Sequence, residues 1–265
     1  MMNVLFIGDV FGKGGRIALI NEMEYLKREY EPDFIIANGE NLADGKGLTE
    51  KTARPLYEAG VDVLTGGNHL WDRADSLDFI RKTEKIVKPM NYPDMTPGSK
   101  YYTIVKNGLK LVVINLCGQI YMPPCDSPFT VLTRNLDEIK AISTAVVLDF
   151  HAESTAEKRA LGWFVDGKIS ALIGTHTHIQ TADEEILPEG TGYLTDVGMT
   201  GSHDSVIGVK RGLIVEKFRT SIPVRYESSD WGLQINAVIL SIDENTGKTI
   251  SIKRIRKLLG NIDNG

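Results

Sequence analysis

Cysteine is almost missing from this chain: two residues, Cys117 and Cys125, among 265. Their spacing fits no zinc-ligand pattern and they are too few for a disulfide framework. Both read as structural thiols in a reducing compartment, the cytoplasm. Long apolar runs are missing too. No stretch approaches the roughly 20 residues that a membrane-spanning helix needs, so no membrane is expected among the partners. The opening run at 4–7 is too short for a secretory signal, and no basic residues precede it. Nor is there an excess of positive charge: 30 Lys and Arg against 35 Asp and Glu leave −5. That balance argues against broad nucleic-acid binding, which needs a basic face. A small anionic substrate remains compatible, because bound cations dominate the local field whatever the net charge.

What is present is ordinary globular material, 42% hydrophobic and 25% charged, enough to bury a real core. The first half alternates β-type runs with helical patterns. Residues 4–7 form an apolar run stopped by Gly8 and Asp9, and 17–30 then carries apolar residues at helical spacing. A second β run at 33–37 stops at Asn38, Gly39, Glu40 and Asn41. Residues 49–59 read as a helix, and 61–64 as a strand ending in Gly66, Gly67, Asn68 and His69. Strand, polar loop and helix in succession is the pattern of parallel α/β sheets. The middle differs: runs at 101–105 and 109–115 flank Asn107-Gly108, a strong hairpin signal. A buried-type strand at 145–150 precedes His151, a helix is expected over 153–165, and a strand at 170–173 precedes His176 and His178. From about 185 short β runs dominate, ending with strands at 234–242 and 249–255. With no repeat and no long linker, the expectation is a single domain over 1–265. Its class is α/β, with two mixed sheets packed face to face and helices outside.

Ligand-type residues gather at strand ends, four of the five histidines among them. In open α/β sheets ligands bind in the crevice beyond those ends. Carboxylates, amides and imidazoles together suit borderline divalent metals such as manganese, iron or zinc, and the lack of cysteine ligands argues against a structural zinc cage. Asp9, Glu40, Asn41, Asn68, His151, His176 and His178 are enough for two ions. Singly, each has a plainer reading: Asp9 as a turn or N-cap residue, His151 as a packed side chain. The pair His176 and His178 is stronger, since alternate residues of an extended chain project to one side. Five strand ends all carrying ligand types outweigh five separate turns.

The glycine-rich opening, from Gly8 to Arg16, fits neither the P-loop spacing nor the dinucleotide fingerprint. Its glycines read as a tight backbone passage beside the metals, with Lys13 and Arg16 either holding phosphate or simply solvated. His203 lies in a polar loop, read as exposed. Trp71, Trp163 and Trp231 read as packing residues, and residues 119–129, with Tyr121 and three prolines, as a cover for a nucleobase.

In this order the residues resemble the metallophosphoesterase superfamily. Gly67-Asn68-His69 is similar to its GNH motif and Gly174 through His178 to its GHxH motif, with Asp9 and His151 in their expected places. Two departures, Phe11 where the superfamily usually has histidine and Gly39-Glu40-Asn41 in place of GDxxD, resemble the YmdB-like branch over most of the chain. Asn68 through Asp72 and Asp149 through Thr155 resemble it too. The resemblance implies a four-layer α/β/β/α sandwich and a two-metal site, di-iron or similar, with Glu40 bridging. One ion would add Asp9, Asn41 and His178, the other Asn68, His151 and His176, with Asn41 standing in for the missing histidine. It implies a metal-dependent phosphodiesterase acting on small phosphodiesters such as 2′,3′-cyclic nucleotides, using two iron or manganese ions.

Two divalent ions about 3.5–4 Å apart activate water and polarise a phosphoryl oxygen, and His69 is the expected catalytic acid. Asp72 either orients His69 or caps a following helix. Rival readings are an amidohydrolase, disfavoured by the late His-x-His and the β-rich second half, a phosphomonoesterase, and a nucleotide sensor with little turnover. A homo-oligomer is compatible with all of them.

Overall fold

The computed structural model describes residues 1–259. The first part of the chain runs β1 (Met2–Ile7), β2 (Asp9–Val10), α1 (Gly12–Tyr30), β3 (Phe34–Asn38), α2 (Glu50–Ala59), β4 (Val63–Thr65), α3 (Leu77–Lys82) and β5 (Ile86–Val87). The middle contributes β6 (Tyr101–Lys106), β7 (Leu109–Cys117), α4 (Pro128–Ile142), β8 (Val146–His151), α5 (Thr155–Val165), β9 (Ala171–Thr175), β10 (Glu185–Ile186) and β11 (Gly192–Leu194). It closes with β12 (Met199–Ser202), α6 (Arg211–Thr220), β13 (Leu233–Ile242) and β14 (Thr249–Leu258). Among the described residues no helix is long and apolar enough to cross a membrane.

Two mixed sheets result. One has the order β2-β12-β13-β1-β3-β4-β5, with β14 also paired to β13, and the other β10-β11-β9-β8-β7-β6. In the first, β1, β3, β4 and β5 are parallel and β13 runs against β1. In the second, β7, β8, β9 and β11 are parallel. Strand alternation explains how they stack, because successive side chains leave opposite faces. Val4, Phe6, Phe34 and Ile36 face Val113, Val147 and Ile173 in a core between the sheets. Leu5, Ile7, Ile35 and Ala37 point the other way, onto Leu19, Met23 and Leu26 of α1 and Leu56 of α2. On the far side Val112, Ile114 and Leu148 meet Leu132 and Leu136 of α4 and Leu161 and Val165 of α5. Three apolar layers between four structural ones give the α/β/β/α sandwich. Both faces of each central strand are buried, which is why these segments read as continuous apolar runs.

The hairpin at Asn107-Gly108 forms as expected: both residues take positive φ, 51° and 80°, and β6 pairs β7 from Lys106↔Leu109 outward. Helix α1 starts five residues earlier than the periodicity suggests, through glycines of poor helix propensity. Packing overrides propensity there: a Cβ on Gly15 would lie 2.4 Å from the Thr200 carbonyl oxygen, so the helix sits against β12 only with glycine at that position. Two helices go unanticipated. α4, capped by Ser127 with Pro128 at its first turn, begins inside a segment that prolines make look like loop. α6 interrupts the β-rich second half. It buries only Ile214 and has no side-chain cap, so it leaves almost no periodic signal.

Candidate metal centre

The parallel strands of both sheets end on one side, and there the polar residues meet. Asp9 follows β1, Glu40 and Asn41 follow β3, Asn68 and His69 follow β4, His151 ends β8, and His176 and His178 follow β9. All seven expected metal ligands come together: Glu40, Asn41, His176 and His178 line a cleft of about 740 Å³ with His69 on its wall, and Asp9, Asn68 and His151 lie against them.

Three imidazoles converge, each with one nitrogen spoken for and the other aimed inward. His151 Nδ1 donates to Thr175 Oγ1 at 2.9 Å, and the threonine hydroxyl donates to buried Asp149 Oδ1 at 2.6 Å. His151 Nε2 thus lies 3.1 Å from Asn68 Oδ1, 3.1 Å from Glu40 Oε1 and 3.0 Å from His176 Nδ1. His176 turns its Nε2 to Glu153 Oε2 at 3.2 Å. His178 donates Nδ1 to the Ile207 carbonyl at 3.0 Å, leaving Nε2 at 3.3 Å from Asn41 Oδ1 and 3.8 Å from Asp9 Oδ1. A partner on the outer nitrogen fixes both tautomer and ring orientation, as it does for metal-binding histidines. The amides are oriented the same way: Asn41 donates its Nδ2 to the Gly45 carbonyl at 3.0 Å, which turns its Oδ1 inward.

The chain brings these groups close only by strained or side-chain-free backbone. His176 and His178 sit at φ 94° and 66°, a region non-glycine residues rarely adopt. Between them Thr177 gives its N–H and hydroxyl to Asp196 Oδ2, at 3.1 and 2.8 Å. Asp196 is itself paired at 2.7 Å with Lys158, both side chains fully buried. At Gly67 a Cβ would lie 2.2 Å from Glu40 Oε2 and 2.5 Å from His151 Nε2, so only glycine lets β4 pass this closely.

Electrostatics mark the cluster as built for cations. Burial and the neighbouring carboxylates of Asp196, Glu40 and Asp149 push the Asp9 carboxyl well up, with His151 opposing. Its Oδ1 is buried without a hydrogen-bond partner among the described residues. Burial would also raise Glu40, but the charge and hydrogen bond of His151, with the His69 side chain and backbone N–H, outweigh it and hold Glu40 at about 2. His151 is the converse: burial lowers it, and Glu40 and Asp9 drive it to about 9. Burial, then the charge of His151, takes His176 down to about 3. Crowded lone pairs and an unpartnered buried carboxylate oxygen are costly alone and are satisfied by cations, so the donor set fits metal ions. Glu40, His151 and His176 offer ligand atoms within 4.8 Å of one another.

His69 stands at the edge, its Nδ1 donating to Asp72 Oδ2 at 2.8 Å while its backbone N–H bonds Glu40 Oε2 at 2.9 Å. Asp72 orients the histidine; it caps nothing, for the short helical turn that follows starts from Arg73 without a side-chain cap. Phe11, where histidine is common, sets its ring edge-on to His178 at 5.6 Å. Several other expectations are corrected. Residues 119–129 do not line the cleft, whereas Phe11, Ile207, Val209 and Tyr226 do; His203 is exposed outside it, as expected. The 119–129 segment is tied elsewhere, with Gln119 N–H on Glu157 and Asn91 bonded to Cys125 and Asp126. Arg16 bonds the Leu42 carbonyl and is likewise outside the cleft. Trp71 packs as expected, whereas Trp163 and Trp231 are exposed, at 50% and 57%. Burial raises both thiols, Cys125 to about 11, consistent with structural roles.

The outer partners Thr175, Asp149, Glu153 and Ile207 escape a reading of the sequence. Asp149 and Glu153 flank His151 within two residues, which is the one local signal they carry.

A sandwich of two mixed sheets with carboxylates, amides and imidazoles on its strand ends is the metallophosphoesterase architecture. The chain belongs within it to the YmdB-like protein family, whose model matches residues 5–255. It is 46% identical over 254 residues to the 2′,3′-cyclic-nucleotide 2′-phosphodiesterase of Bacillus subtilis, covering 96% of each protein. Among solved structures, a novel phosphatase from Mycoplasma pneumoniae superposes with a TM-score of 0.92 at 35% identity, covering 99% of this chain and 96% of the other. A hypothetical protein from Thermus thermophilus gives 0.91 at 39%, covering 97% and 99%.

Proposed function

We propose that this protein is a metal-dependent phosphodiesterase hydrolysing 2′,3′-cyclic nucleotides at the 2′ ester, in the cytoplasm. The observation that carries the reading is the convergence of His151 Nε2, Asn68 Oδ1, Glu40 Oε1 and His176 Nδ1 beside a histidine–aspartate pair. The likeness to a relative named for that reaction supports it. Glu40, with Asp9, Asn41 and His178 on one side of it and Asn68, His151 and His176 on the other, would hold the ions. An oxygen- and nitrogen-only donor set suits iron or manganese. When bound, such ions supply an activated water and neutralise charge on the phosphoryl oxygens.

The chain's own residues do the rest. His69, its Nδ1 proton held by Asp72, lines the cleft and would give the Nε2 proton to the ribose 2′ oxygen as water oxygen bonds to phosphorus and the P–O2′ bond breaks, leaving a 3′-monophosphate. Asp72 fixes the ring and balances its charge while it is protonated, a positioning role. Glu40 is doubly engaged, so the His69 backbone N–H ties the acid to the ligand cluster at a fixed distance. A positioned acid is worth about 10²–10⁴-fold. His69→Ala therefore keeps its metal and loses that much turnover, whereas Asn68→Ala loses metal, read by elemental analysis. Full activity in His69→Ala, or full metal occupancy in Asn68→Ala, removes that residue from its role.

A further inference from the structure

The cleft has a second wall, built from the turn at 206–209 and from Tyr226, whose side chains take no part in the chemistry just described. Val206 and Val209 exchange backbone hydrogen bonds at 2.8 and 3.0 Å, closing a two-residue turn with Ile207 at φ 47° and Gly208 at φ 98°. Such a turn favours Asn or Gly at its first central position, and a β-branched residue with positive φ is an outlier. Strained residues persist where surrounding structure over-determines them, and they cluster at ligand clamps. Ile207 has two tasks that account for the conformation: its carbonyl holds His178 Nδ1 at 3.0 Å, and its side chain, 48% exposed, lines the cleft. The turn is braced from behind by Phe11, which a Cβ on Gly208 would meet at 2.5 Å.

Tyr226 completes the wall. It is 49% exposed, and Lys217 sits 4.8 Å from its ring centroid while bonding its hydroxyl, so the ring is held in place with half its surface open. The Ile207 and Tyr226 side chains both open into the same cleft as the ligand cluster.

We propose that Ile207 and Tyr226 form the nucleobase subsite, which takes the flat face of a purine or pyrimidine while the phosphate sits at the ligand cluster. The proposal rests on the phosphodiesterase reading above, and supplies what decides between a nucleotide and a bare phosphoester. Aromatic side chains stack bases of any kind, and Ile207 links the two ends of the site, since one residue contacts the base and fixes a metal ligand.

The test is the affinity of metal-loaded protein for adenosine 3′-monophosphate divided by its affinity for inorganic phosphate, both by calorimetry. The ratio is expected to fall about tenfold or more in Tyr226→Ala and in Ile207→Gly, and to return in Tyr226→Phe, which keeps the ring. Glycine at 207 relieves the backbone strain and preserves the carbonyl, so misfolding does not account for a loss there. A ratio unchanged in either truncation, or lost equally in Tyr226→Phe, overturns the subsite. Turnover of 2′,3′-cyclic AMP by wild-type protein is followed separately. Its absence would sink the phosphodiesterase reading, whereas turnover with an unchanged ratio sinks the subsite alone.

Discussion

Removing the buried Lys158 ammonium tests how the strained histidine turn is held. Lys158 Nζ lies 2.7 Å from Asp196 Oδ2 and donates to the Thr175 carbonyl at 2.8 Å, with neither side chain exposed. In Lys158→Met the aspartate keeps three donors, the Thr177 N–H and hydroxyl and the Gly198 N–H, but loses its counter-charge. Breaking a buried pair by removing one partner costs about 3–5 kcal/mol, and the surviving hydrogen bonds put the expectation at the lower end, about 3 kcal/mol. For a chain of this size each kcal/mol moves Tm by about 2 °C, so circular dichroism melts should fall by about 6 °C. Replacing both partners, Lys158→Met with Asp196→Leu, removes the orphaned charge and should recover at least half of that loss. Metal affinity should not recover with it, because Thr177 has lost its anchor and His176 and His178 are free to relax from positive φ. Chelator competition reads this separately. A single variant melting within about 2 °C of wild type, or a double variant that regains metal affinity along with stability, refutes the idea that this pair holds the ligand turn.

Two further outcomes follow from the site. Gly67→Ala would force a methyl to within 2.2 Å of Glu40 Oε2; metal content should drop sharply, and a fully loaded variant would show that β4 can retreat at little cost. In metal-free protein His151 rises from 6.5 to about 9: burial lowers it, but Glu40 dominates. A histidine raised on folding stabilises fully below its unfolded value and loses that contribution as pH climbs through the folded one. Chelated protein should therefore lose up to about 3 kcal/mol between pH 6.5 and 9, while loaded protein, whose His151 Nε2 carries no proton, should not. Thermal melts of both forms at the two pH values give the comparison, and an equal decline in the two would contradict it.

Most of the candidate site was readable because ligand-type residues are local: each candidate ligand stands within three residues of a strand end, and strands announce themselves as apolar runs. The layers were legible for the same reason, since Val4 and Phe6 alternate with Leu5 and Ile7 and both faces are apolar. What stayed hidden depends on distance in the chain. Glu40 N–H bonds Asn38, two residues away, but Ile207 reaches His178 from 29 residues off and Asp196 reaches Thr177 from 19. Tyr226 joins the cleft because its segment pairs with the turn at 206–209, through Val209 and Ser228. α6 itself left little trace, because a helix lying on the surface with one buried residue has no apolar stripe to read.

The most direct measurement is hydrolysis of 2′,3′-cyclic AMP by manganese- or iron-loaded protein, with a chelated sample alongside and the product isomer identified. The account predicts metal-dependent release of adenosine 3′-monophosphate. Two metal ions bound per chain with no turnover, or release of the 2′ isomer, would contradict it.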